Sequence, residues 1–147
     1  MTKELQEYKR AYFAQTGRLA SQAMEAKAKS GIYPLRLPIG YKRVFQNGKE
    51  HIEIDPTTAP LIRLAFELIA RRRSSLSKVL ATIRIKGLSG HSGQPISWGA
   101  LHRILRCEFY TGVVRYRGKT GQGCQEPIVG RSLFERAQSS LMSRQKR

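Results

Sequence analysis

The chain has little negative charge, few cysteines and no long apolar run. Ten Asp and Glu face 27 Lys and Arg over 147 residues, and Asp55 is the single aspartate. Cysteine is limited to Cys107 and Cys124, and neither lies in a CxxC pair. That count excludes a disulfide scaffold and a zinc finger. Two free thiols in a reducing cytoplasm are expected, each a small, partly buried side chain. No stretch approaches about 18 apolar residues, which excludes a membrane-spanning helix. The first ten residues, Met-Thr-Lys-Glu-Leu-Gln-Glu-Tyr-Lys-Arg, are charged and lack an apolar run, so they form no signal peptide. No internal repeat is visible.

Positive charge is what the chain has in excess. The formal net charge is +17 and the isoelectric point lies near 10.7. By segment, residues 1–34 carry +3, 35–73 carry +4, 74–106 carry +5 and 107–147 carry +5, and the third segment has no acidic residue. A basic tail on a neutral domain would concentrate the charge, whereas this spread describes a folded domain with an extended basic surface. Such a surface selects a polyanionic partner, with nucleic acid first and a membrane surface second. Apolar residues at 40% and charged residues at 25% are ordinary for a globular chain. A chain of this length makes one domain, or two small ones, with a sizeable core.

Residues 3–29 read as helical, with Leu5, Tyr8, Tyr12, Leu19, Ala23 and Ala26 at three- and four-residue steps and Gly17 as an interruption. Gly31 to Gly40, carrying Pro34 and Pro38, is an extended linker. Asn47-Gly48 between two strand-like runs marks a hairpin over 41–54. Asp55 as cap and Pro56 as first residue open a helix whose body runs from Leu61 to Arg73, with Leu61, Ile62, Ala65, Phe66, Leu68 and Ile69 on a broad apolar face. A shorter helix is expected from about Ser75 to Lys86, stopped by Gly87. A strand is expected over Val113 to Arg117, followed by a Gly-rich turn over 121–127. Residues 127–129 read as short and extended. Ser132-Leu-Phe-Glu135 forms a capping box for the last helix, with Phe134, Ala137 and Leu141 inward and residues 143–147 frayed.

The segment 97–106 is the most informative. Ser97 is a candidate N-cap, and Ile96 with Leu101 forms a hydrophobic staple. On a 3.6-residue period Trp98, Leu101, Ile104 and Leu105 point inward, while Gly99, His102, Arg103 and Arg106 point outward. A major groove admits such a helix, and an arginine there can bond bidentately to guanine. An ordinary helix with a solvated basic face has the same pattern. The preceding helix and this one look like a helix-turn-helix pair, but the ten residues from Gly87 to Ile96 exceed its usual connection. Arg71, Arg72 and Arg73 suit either phosphate contact or complementation of a helix dipole. Arg115, Arg117 and Lys119 alternate along the expected strand and would face one side, as phosphate contacts or as guards of a strand edge.

Two suggestive motifs fail. Gly118-Lys119-Thr120 lacks the P-loop glycine, because Val113 stands where it is required, and no helix follows. His51, Glu53 and Asp55 share a strand face as a metal-dependent nuclease would want, but no further ligand is in sight and Asp55 has a capping role. No cofactor or metal site is expected.

From Lys29 to Arg144 the chain resembles the recombinase domain of large serine recombinases, the phage integrases and transposon resolvases. The residues carrying the likeness are Gly31-Ile-Tyr-Pro and Pro38-Ile-Gly40-Tyr41; Ile54-Asp55, Ala59, Ile62 and Phe66; Ile83, Gly87-Leu88 and Trp98; Ile104-Leu105, Tyr110 and Gly112; and Pro127-Ile128-Val129, Leu133-Phe134-Glu135, Gln138, Leu141 and Arg144. Arg36, Cys107-Glu108-Phe109 and Gln125-Glu126 depart from the family pattern. The first 28 residues carry no Tyr-x-Arg-x-Ser motif, and two unpaired cysteines build no zinc ribbon.

The resemblance implies an α+β fold, mainly α-helical, with a small β-hairpin and short strands. It implies an N-terminal linker helix over 1–30 and a DNA-binding domain over 31–147. The expected function is sequence-specific binding of double-stranded DNA in site-specific recombination, without catalytic activity of its own. A separate recombinase catalytic domain is the implied protein partner, and no membrane is involved. The alternatives are a stand-alone DNA-binding regulator of a mobile element and, ranked below it, a small basic nuclease. The candidate DNA contacts are Arg36, Lys42, Arg71, Arg72, Arg73, Gly99, His102, Arg103, Arg106, Arg115, Arg117 and Lys119.

Overall fold

The computed structural model describes residues 2–145. Helix α1 spans Lys3–Lys29 as one continuous rod, with Gly17 inside it and not at a break. None of its residues is buried. Leu5, Tyr8, Tyr12 and Leu19, which recur at helical steps, all stand exposed. Its C-terminal end meets the rest of the chain. Ala28 packs against the core, Lys27 Nζ lies 3.1 Å from Glu50, and Tyr116 donates to Met24 Sδ at 3.4 Å.

The segment 31–40 is extended as its prolines require, but it is packed down. Leu37 is buried, and Arg43 holds the segment by donating to the Tyr33 carbonyl at 2.7 Å and to that of Leu35. Gly40 has a φ of +110°, and a Cβ there would lie 2.9 Å from Ile128 Cδ1. Strands β1 (Tyr41–Gln46) and β2 (Lys49–Ile54) pair antiparallel, Tyr41 opposite Ile54. Asn47 and Gly48 turn between them with φ of 52° and 74°, as a type I′ turn demands.

Helix α2 covers Ala59–Ala70, later than Asp55 and Pro56 suggested. Asp55 caps a turn instead. Its Oδ1 accepts from the Thr57 amide at 3.0 Å and hydroxyl at 2.7 Å, and those bonds hold its carboxyl below the usual value. Pro60 takes a first-turn position. The helix stops before the arginine triplet, where Arg72 adopts a left-handed φ of 58°. Ile62, Ala65, Phe66 and Ile69 are fully buried. Helix α3 (Leu76–Ile85) is capped by Ser75, which accepts from the Lys78 amide at 3.2 Å, and Gly87 follows it with a φ of +95°.

Helix α4 (Trp98–Leu105) leads into a 3₁₀ turn at Glu108–Thr111 and a second hairpin, β3 (Val113–Tyr116) with β4 (Lys119–Gln122). The expected strand thus ends one residue early, because Arg117, with a φ of 51°, begins the turn with Gly118. Part of the expected Gly-rich turn is strand β4. Residues 127–129 form bends and a coil, not a strand. Helix α5 (Arg131–Gln145) starts before Ser132, so the expected capping box is not made: the Phe134 amide bonds the Gly130 carbonyl at 3.0 Å and Glu135 faces Arg131. The helix persists through residues 143–145 where fraying was expected, and residues 146–147 lie outside the described residues.

The core sits between α2, α3, α4 and α5, the two outer helices of this group packing on α2. Tyr110 is wholly buried at its centre and donates to the Ile39 carbonyl at 2.7 Å. Tyr41 donates to the Glu126 carbonyl at 2.7 Å and accepts from the Ile128 amide at 3.2 Å. The fold is α+β and mainly helical. Among the described residues no helix is long and apolar enough to cross a membrane.

Candidate nucleic-acid interface

The eight residues of α4 are too few to hold a helix alone in water. Packing and capping hold it. Ser97 accepts from the Ala100 amide at 3.1 Å, Ile96 and Leu101 are both 1% exposed, and Ile104 and Leu105 are buried beside them. The connection from α3 is also built. Ser89 bridges Pro95 in antiparallel fashion, the Gly90 amide bonds the Gln94 carbonyl at 2.8 Å, and Arg84 Nε donates to the Ile96 carbonyl at 2.7 Å. The start of α4 is therefore fixed on α3 despite the long loop.

Gly99, Arg103 and Arg106 face solvent, as their spacing predicted, and His102 is partly exposed. Neither the Arg103 nor the Arg106 side chain has an ion-pair or hydrogen-bond partner among the described residues. Trp98 departs from expectation. It is 50% exposed, and its ring stacks on His102 with centroids 5.5 Å apart and planes 12° apart. At 100° per residue it stands roughly 65° from the centre of the arc marked by Leu101, Ile104 and Leu105. A first-turn side chain also leans toward the N-terminus, past the end of the core.

Other cations gather around this helix. Arg103 lines a shallow depression with His91, Pro38, Ile39, Ala100 and Cys107. Partial desolvation, and after it the charge of Arg36, hold the His91 imidazole below its ordinary value, so Arg36 stands on this side as well. Arg106 and Arg115 line an adjoining depression, and Pro38 and Cys107 belong to both. The surface thus runs from the 31–40 segment across the outer face of α4 to β3. Burial pushes the Cys107 thiol up, which suits a packed side chain. Cys124 is exposed, not partly buried as expected.

The remaining candidates lie elsewhere. Arg71, Arg72 and Arg73 follow α2, where Arg72 donates to Ser139 of α5 at 3.0 Å. Arg115 and Lys119 do not share a face. Arg115 pairs with Thr120 and Lys119 with Tyr116 in the hairpin register, which puts the two cations on opposite faces. Arg115 lies 3.3 Å from Glu108 and Lys119 3.7 Å from Glu25. Arg117 sits in the turn with its guanidinium 5.5 Å from the Tyr116 ring centroid. Lys42 is exposed on β1, opposite Glu53. The expected shared face failed because it assumed one uninterrupted strand through a position that adopts positive φ. Among the described residues no three His, Cys, Asp or Glu side chains could hold a metal ion.

The Recombinase family pattern matches residues 56–144, which include α2 to α4, both strands of the second hairpin and most of α5. No curated protein matches the chain in sequence. Among solved structures, the fold is similar to that of a large serine recombinase–DNA complex, with a TM-score of 0.67 at 18% identity over 86% of this chain and 39% of that one. It is also similar to a structure from work on the sequence requirements of the Listeria innocua prophage attP site, with a TM-score of 0.55 at 21% identity over 71% of this chain and 41% of that one. The chain spans about two fifths of the length of either.

Proposed function

The chain belongs to the Recombinase family, and from that premise we propose that it binds duplex DNA as the recognition module of a site-specific recombination system. The observation that carries the reading is the outer face of α4. Arg103 and Arg106 project there without an internal partner, from a helix whose inner face is locked into the core. A cation with no internal partner is available to a phosphate or a base edge, and a short rigid helix is the element that enters a major groove. Arg36 and Arg115 flank it and are assigned to the backbone on either side. Arg71, Arg73, Lys42, Arg117 and Lys119 are assigned to more distant phosphates, and Arg72, Gly99 and His102 to support of the same contact. The solved relatives named above, one of them a DNA complex, favour this reading of the shared fold.

Residues 1–30 serve in this reading as a linker helix and 31–147 as the binding domain. Strand cleavage and joining belong to a serine-recombinase catalytic domain outside these residues. The test is selection of duplexes from a random pool, followed by titration across a salt series. If about five phosphates are neutralised, log K falls against log salt with a slope near −4.5. An affinity insensitive to salt, or a pool that stays random, overturns the proposal.

A further inference from the structure

Trp98 is the only tryptophan of the chain, and nothing in the fold accounts for its position. It is half exposed, its ring partner is His102, and the core beneath α4 is closed by Leu101, Ile104 and Leu105 without it. Gly99 beside it is unexplained in the same way. A Cβ at Gly99 would meet nothing within 4 Å, and its φ is not in the left-handed region. The helix thus accepts a residue of poor helix propensity that its own packing does not require. Bare backbone on an outer helical turn lets another surface come close.

That surface is duplex DNA, because the positions around the pair are cationic. Arg103 and His91 line the adjacent depression, Arg36 acts on His91, and the segment 74–106 has no acidic residue at all. An apolar protein surface would leave those cations uncompensated, whereas the phosphates of a duplex neutralise them. Within a major groove the one apolar group offered by a base pair is the C5-methyl of thymine. An indole face or edge fits that methyl, and its N–H is a donor only, suited to the acceptors beside it. Stacking on His102 fixes the ring before binding, which lowers the ordering cost.

We infer that Trp98, braced by His102 and brought close by Gly99, reads the methyl group of a thymine in the major groove. This rests on the DNA-binding reading above and adds the base feature that is read. The test starts from the duplex selected by the full chain. Each thymine is replaced in turn by deoxyuridine, which removes the methyl alone, and affinity is measured by anisotropy of the labelled duplex. At one thymine the parent loses about fourfold, the value of one buried methyl group. Trp98→Ala loses nothing further at that position, while its thermal melt matches the parent. Gly99→Ala melts higher than the parent yet binds more weakly. Acrylamide quenching of Trp98 fluorescence falls when the duplex is added. A Trp98→Ala variant that binds like the parent, or the absence of any thymine whose methyl dependence disappears with Trp98, overturns the inference. A pool from which no sequence is selected removes the DNA reading as well. A selected sequence without coupling to Trp98 removes this inference alone.

Discussion

Truncating one side chain on each face of α4 separates its structural role from its binding role. Leu101 is 1% exposed and shares its packing with Ile96 and Leu105, which are equally enclosed. Leu101→Ala removes buried methyl groups from a site ringed by rigid secondary structure, at a cost of about 2–5 kcal/mol. That is a large share of the roughly 5–15 kcal/mol that holds a domain together. The melting temperature should drop by roughly 2–4 °C per kcal/mol in a chain near this size. Arg103 is exposed and unpaired, so Arg103→Ala should change stability by no more than about 0.5 kcal/mol. If the guanidinium meets a base edge, the same change removes about 1–3 kcal/mol of discrimination at one position of the site. Urea unfolding followed by circular dichroism gives the first pair of numbers, and duplex titration gives the second. The facing of α4 would be wrong if Leu101→Ala stayed stable while Arg103→Ala bound like the parent.

Two further outcomes follow from the core. Gly40→Ala should destabilise by about 2–4 kcal/mol in chemical denaturation, combining a positive φ with crowding against Ile128, Ile62 and Tyr110. Gly48→Ala, which meets nothing within 4 Å, should lose only the backbone part, about 1 kcal/mol. Burial raises the hydroxyls of Tyr41 and Tyr110 above their ordinary value of 10.0. The folded state then holds protons that the unfolded chain releases, so stability is full below pH 10 and falls as pH rises beyond it. Tyr110→Phe should flatten that fall in an alkaline denaturation series, and an unchanged pH profile would contradict the burial argument.

The sequence makes the helices legible wherever the apolar period is strong and a cap is unambiguous. Ser97 caps its helix as read, and Asn47-Gly48 turns its hairpin. Boundaries slipped where two signals compete. Asp55 and Pro56 form a turn of their own, and Pro60 opens α2. Ser132 lost its cap because Gly130 precedes a helix that starts one residue early. The second hairpin escaped notice because Lys119–Gln122 is a wholly exposed strand without apolar alternation. Its turn places a non-glycine residue, Arg117, at positive φ. Within the candidate interface, Arg103, Arg106 and Gly99 were readable from periodicity. His91 was not, since it reaches the site only through the fold of the loop. Trp98 was misassigned because a first-turn position at the margin of the apolar arc has no core above it. The exposure of α1 was equally invisible, since periodicity reports which residues share a face but not whether anything covers it.

Methylation interference on the selected duplex tests most directly whether α4 lies in the major groove. Guanine N7 lies in that groove, where it forms half of the bidentate contact available to an arginine. Methylating one guanine of the site should block binding of the parent, and that interference should vanish in Arg103→Ala while the remaining pattern persists. Binding that ignores N7 methylation at every guanine, and that is disturbed only by modification of phosphates, would contradict the assignment of α4 as the element that reads sequence.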